Sequence, residues 1–126
     1  MAFVPLTFRM SSAELTDEAF IVTVSGEADA RAATTLQREL DGLADEGARE
    51  LIVDLLRVPF LDAHIVGVLR RAAGRMRADG GDVVLVSNDP RLLRTFELNG
   101  LHSTFRFERS LNEAVDHALA TTRTDD

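Results

Sequence analysis

The stretch Val53-Asp54-Leu55-Leu56-Arg57-Val58-Pro59-Phe60-Leu61-Asp62-Ala63-His64-Ile65-Val66-Gly67-Val68-Leu69 joins two hydrophobic patterns of different period. On its N-terminal side, Leu51 to Leu55 is a near-continuous apolar run of strand length, as expected of a central parallel strand buried on both faces. On its C-terminal side, Val66, Leu69, Ala73 and Met76 recur at three- and four-residue steps, the stripe of an amphipathic helix spanning Asp62 to Asp79. Asp62 stands at the junction, where a carboxylate caps free helical N–H groups. Gly80-Gly81 reads simply as the helix stop, and Val83 to Val86 supplies the next apolar strand. One βαβ unit results. Gly67, inside the helical pattern, points to a close approach of helix to sheet.

The same alternation extends outward. Phe3 to Met10 reads as a first, edge-like strand interrupted by Pro5, since proline cannot donate to a central ladder. Phe20 to Ser25 alternates, with Phe20, Val22 and Val24 on one face and Ile21, Thr23 and Ser25 on the other. Asp29 caps a helix whose Ala33, Leu36, Leu40 and Leu43 face inward until Gly47. Downstream, Asp89-Pro90 pairs a cap with proline at the first helical position, and Leu92, Leu93 and Phe96 face inward until Asn99-Gly100. Thr104 to Phe107 makes a short last strand, and Ser110 to Glu113 is a capping box before a terminal helix carrying Leu111, Ala114, Val115, Ala118 and Leu119. The order β-β-α-β-α-β-α-β-α predicts a small α/β domain with a mostly parallel sheet. Right-handed crossovers between neighbouring strands place the helices on one face. Residues 1–120 read as a single domain and 121–126 as a frayed tail.

Composition removes several function classes. With 14 basic and 21 acidic residues the net charge is 14 − 21 = −7, and Tyr and Trp are absent. The chain therefore lacks the basic footprint and most of the stacking aromatics that nucleic-acid binding needs. Without Cys there is no disulfide or thiolate metal site, and His64, His102 and His117 are scattered, so neither a metal nor a cofactor is expected. No run approaches the ~20 apolar residues that cross a bilayer, and Met1 to Phe8 lacks the features of a signal peptide, so the expectation is a cytoplasmic protein with no membrane insertion.

Gly26-Glu27-Ala28-Asp29 after the second strand, followed by Asp54, Leu55, Val58, Phe60, Asp62, Gly67, Val68 and Leu69 in order, resembles the STAS family, the sulphate-transporter and anti-sigma-factor-antagonist domain. Phe96 to Leu101 adds to the likeness, which covers nearly the whole chain. The resemblance implies a regulatory protein-binding module of the anti-sigma factor antagonist kind. It also implies a partner kinase that phosphorylates the Ser directly after the motif Asp and so switches binding off. In this sequence that position is Ala63, His64 and Ile65 follow it, and no Ser, Thr or Tyr occurs between Thr35 and Ser87. No phosphorylation is therefore expected at this position.

The candidate partner-binding residues are Glu27, Asp29, Asp62, Ala63, His64, Arg70, Arg71 and Arg75. Asp29 and Asp62 read first as helix caps. Glu27 and Asp29 sit on an exposed turn, which gives no perturbed environment for acid/base work. His64 reads as a solvent-facing or interface residue, because no Ser, Cys or second carboxylate is placed to join it in a catalytic group. Arg70, Arg71, Arg75 and Arg77 make a basic strip on the second helix that only Asp79 offsets in sequence, a docking edge for an acidic partner or a solvated face. The leading expectation is a non-enzymatic module whose partner is an anti-sigma factor of the serine-kinase type or another regulatory protein. The alternative is a scaffold subunit of a membrane-transport or stress-signalling complex. An enzyme using His64 as phospho-acceptor or base is the remaining reading.

Overall fold

The computed structural model describes residues 8–123. Nine elements follow one another: β1 (Arg9–Glu14), β2 (Ala19–Ser25), α1 (Ala30–Asp45), β3 (Glu50–Arg57), α2 (Ala63–Ala78), β4 (Asp82–Val86), α3 (Pro90–Leu98), β5 (Arg106–Glu108) and α4 (Leu111–Arg123). The strands lie in sequence order in one sheet, β1 antiparallel to β2 and every other pair parallel. This is the predicted order and sheet type.

The crossover helices α1, α2 and α3 share one face, where Leu36, Leu40, Leu69, Met76, Leu92 and Phe96 pack with Val22, Val53 and Leu85. Burying each such side chain contributes roughly 1.5–3 kcal/mol. Phe96 closes the α3 end, with its ring edge-to-face on Phe105 at 5.3 Å and on Phe107 at 5.2 Å. Each crossover helix ends in the same way. The amide after the terminal glycine donates back over the last turn: Ala48 to Leu43, Gly81 to Met76, Leu101 to Phe96.

Five expectations change, one of them the last strand, which is Arg106–Glu108 and not Thr104 to Phe107. Helix α4 lies on the opposite face from the other three, where Ala114 and Ala118 cover Ile52, Val84 and Val86. It follows the last strand and is no crossover, so the handedness rule does not reach it. The far side of β3 and β4 is apolar and takes the helix, while Ser11, Thr23 and Ser25 leave the far side of β1 and β2 to water. The first strand is Arg9–Glu14, so the expected Phe3 to Met10 is displaced, and its residues 3–7 lie outside the described residues. Leu93 of α3 is only half-buried, unlike Leu92 and Phe96. Finally, α4 runs through Arg123, past the expected end at Ala120.

Candidate functional site: the rim at the helix starts

The carboxyl ends of β2, β3 and β4 deliver three turns to one rim of the sheet, where open α/β domains collect functional groups. At each turn an aspartate caps the next helix and engages the side chain two residues on. Asp29 accepts from the Arg31 and Ala32 amides at 3.0 and 3.1 Å, with the Arg31 guanidinium at 3.6 Å. Asp89 accepts from the Arg91 amide at 2.9 Å and from its guanidinium at 3.1 and 3.2 Å. Between them, Asp62 accepts from the His64 amide at 2.8 Å and meets the ring Nδ1 at 2.6 Å. An ionised carboxylate only accepts, so Nδ1 donates and Nε2 is left facing water on a side chain that is 71% exposed.

Backbone bonds zip two of these turns together. Ala28 bridges Leu61, the Asp62 amide donates to the Ala28 carbonyl at 3.1 Å, and the Gly26 amide donates to the Arg57 carbonyl at 3.3 Å. Glu27, Asp29, Asp62, Ala63 and His64 are thereby gathered at one rim, although the sequence separates the two phrases by a helix and a strand. Ala63 is exposed at the start of α2, as is Glu27 before α1.

The His64 amide, and after it the His64 ring, hold the Asp62 carboxyl below the usual carboxylate range; Arg91 does the same for Asp89. A depressed folded-state value stabilises the fold above the ordinary aspartate range and loses that contribution as pH falls through the lower folded value. Asp62→Asn is therefore expected to flatten the fall of Tm with acidification below the ordinary aspartate range. Parallel acid melts of wild type and variant check this, and identical slopes would remove Asp62 from the acid response.

Half of the basic strip is engaged by acids within the fold. Arg75 bonds Asp45 at 2.6 Å and lies 3.8 Å from Asp41, both on α1, and Arg77 bonds Asp82 at 3.1 Å. The reading in which only Asp79 offsets these arginines is corrected: the compensating acids come from neighbouring elements. Arg71 meets the neutral amide oxygen of Gln37 at 2.6 Å, and Arg70 is exposed with no ion pair among the described residues. Gly67 is corrected too. A Cβ there would meet nothing within 4 Å, so it borders open space rather than a close helix–sheet contact.

Sequence reasoning missed the apolar part of the rim. Phe60 is 58% exposed and Leu56 40%, on the same β3–α2 segment as Ala63. Phe60 also borders a cavity of about 210 Å³ with Pro59, Leu61, Arg91, Leu92 and Thr95. The run Leu55 to Leu61 signals burial as a whole, and its buried Val58 and Leu61 mask the outward turn of Phe60 between them.

The STAS domain profile matches residues 11–114, which include the rim and every strand-to-helix turn on it. The chain belongs to the STAS domain family. As a STAS domain it is 32% identical over 80 residues to the anti-sigma-B factor antagonist of Bacillus subtilis, covering 64% of this chain and 72% of that one. Among solved STAS structures, an anti-sigma factor antagonist from Mycobacterium paratuberculosis superposes with a TM-score of 0.79 at 24% identity, covering 90% of this chain and 96% of that one. Unphosphorylated SpoIIAA superposes with a TM-score of 0.78 at 20% identity, covering 90% and 97%. The Bacillus protein in its phosphorylated form gives 0.70 at the same identity, covering 89% and 99%. These superpositions establish the shared fold, and the relatives in this STAS group are regulatory proteins. No helix among the described residues is long and apolar enough to cross a membrane.

Proposed function

We propose that this STAS domain acts in the cytoplasm as an anti-sigma factor antagonist, binding an anti-sigma factor of the serine-kinase type and catalysing nothing itself. The binding unit is the α/β domain through the end of α4. The contact runs over the rim from Glu27 and Asp29 through Asp62, Ala63 and His64 to Arg70 and Arg71. Arg75, engaged by Asp41 and Asp45, supports α2 from the side of α1.

The observation that carries the reading is Ala63, exposed at the start of α2 where the family resemblance implies a phospho-acceptor serine. A phosphoserine would add about −1.5 to −2 charges at pH 7. Ala63 has no oxygen to take a phosphoryl group, so the partner's kinase activity cannot release this chain through that position. Regulation then falls to protein abundance or to the partner. The expected result is a complex whose lifetime, measured by surface plasmon resonance, is unchanged by ATP and magnesium. Ala63→Glu places a charge at the same point and is expected to shorten that lifetime by about tenfold. ATP-triggered dissociation of the wild type, with the partner unmodified, would overturn the missing switch, and the absence of any complex with such anti-sigma factors would overturn the antagonist reading.

A further inference from the structure

Of the arginines along α2, Arg71 is the one turned into a groove without an acidic counterpart. The groove runs between α1 and α2. Its upper cavity, about 380 Å³, is lined by Ala33, Thr34, Gln37 and Val68 with His64 and Arg71, and the open space over Gly67 belongs to it. A lower cavity of about 140 Å³ shares Gln37, Val68 and Arg71 and continues to Asp41 and Arg75. Arg71 is the only permanently charged residue lining the upper cavity, and its hydrogen-bond partner is a neutral amide. A cation-lined groove on a chain of net charge −7 is a local reversal of sign, which selects partners by electrostatic complementarity.

We infer that the upper groove receives a short acidic segment of the binding partner. A carboxylate of that segment displaces the Gln37 amide oxygen from the Arg71 guanidinium, where a planar two-point contact is available to it. An adjacent aliphatic side chain fills the space over Gly67 against Val68 and Ala33. The length of the segment follows from the neighbouring charges. From His64 to Arg71 the helix rises about 10 Å. Beyond that point Asp41 and Asp45 occupy Arg75 and repel further acid. The inference deepens the antagonist reading and rests on it for the identity of the partner, though not for the chemistry of the groove.

Gly67→Leu grows into the groove from a position where a Cβ meets nothing within 4 Å, and leucine is a better helix former than glycine. Arg71→Glu reverses the charge. Arg94→Glu, exposed on α3 away from the groove, is the control. In one arm, each serine-kinase-type anti-sigma factor encoded in the same genome is purified and titrated calorimetrically. Gly67→Leu and Arg71→Glu are each expected to weaken binding by about tenfold or more, and Arg94→Glu to leave it unchanged. In the second arm, the ¹⁵N-labelled protein meets a blocked Glu-Leu-Leu-Glu or Arg-Leu-Leu-Arg peptide at millimolar concentration. The acidic peptide is expected to shift the Gly67, Val68 and Arg71 amides in wild type and not in Gly67→Leu, and the basic peptide to shift none of them. Undiminished partner binding by Gly67→Leu overturns the groove and leaves the antagonist reading standing. Peptide shifts with no anti-sigma factor bound do the reverse. A wild-type dimer that Gly67→Leu converts to monomer in sedimentation assigns the groove to a second copy of this chain and overturns the partner segment.

Discussion

Gly81→Ala is expected to destabilise the protein by about 3 kcal/mol or more, beyond the usual cost of overpacking a core with a methyl group. A Cβ on Gly81 would lie 1.6 Å from the Arg49 carbonyl oxygen, 2.4 Å from its carbon and 2.9 Å from its Cα. Neither side can retreat. The Arg49 carbonyl accepts the Asp82 amide at 2.9 Å, while the Arg49 and Glu50 amides donate to the Glu18 carbonyl at 2.8 and 3.0 Å. Glu18 leads into β2, Arg49 into β3 and Gly81 into β4, so moving one backbone loosens the entry to three adjacent strands. On the other side Gly81 is tied to the end of α2 through its amide bond to Met76 at 2.8 Å. Gly74→Ala is the matched control. A Cβ at Gly74, inside α2, meets nothing within 4 Å, and alanine there is expected to stabilise the helix by up to about 1 kcal/mol. Urea unfolding of both variants checks the pair, and a Gly81→Ala midpoint close to wild type would show that the strand entries yield more easily than this geometry allows.

That contrast shows what the sequence could and could not tell. Strands β2, β3 and β4 and helices α1 and α2 were legible because burial is periodic: two-residue alternation, continuous apolar runs and three-to-four-residue stripes. The caps Asp29, Asp62 and Asp89 were legible because capping is local chemistry. Glycine was not. Gly67 inside α2 faces open groove and Gly81 beyond its end faces a backbone carbonyl, and no local pattern carries what stands opposite either of them. The placement of α4 failed for a related reason. A strand apolar on both faces does not say which helix covers which face, and Ile52, Val84 and Val86 take the helix that no crossover rule constrains. The polar strand Arg9–Glu14 was passed over for the more apolar residues before it, because an edge strand with one wet face has little hydrophobic signal. The family phrases located the rim, but the charge balance of the arginine strip along α2 depends on Asp41 and Asp45 reaching across from α1, on the far side of β3 in sequence.

The functional counterpart of Gly81 is Phe60, where a substitution is expected to spare the fold and lose the partner. An aromatic residue 58% exposed at the tip of the turn that carries Ala63 gives up less than half of a buried side chain's surface when truncated, so Phe60→Ala is expected to leave unfolding within about 1 kcal/mol of wild type. Binding should respond differently. Aromatic anchors that become fully desolvated in a complex account for most of the energy of a protein interface, about 2 kcal/mol or more on truncation, which is roughly thirtyfold in Kd. Phe60 has the setting for such an anchor: an open cavity bounded by Leu61, Leu92 and Thr95 lies beside it, with room for a side chain. Arg91, fixed across Asp89, gives that cavity a polar edge. Leu98 supplies the control. It is more exposed than Phe60, at 73%, but it ends α3 about 12 Å along the helix from the rim, so Leu98→Ala is expected to leave affinity unchanged. Calorimetric titration of the three proteins against the anti-sigma factor proposed as the partner decides between them. Equal affinities for Phe60→Ala and wild type would confine the contact to α2 and its groove, and a loss at Leu98 instead would move the interface to the opposite end of α3.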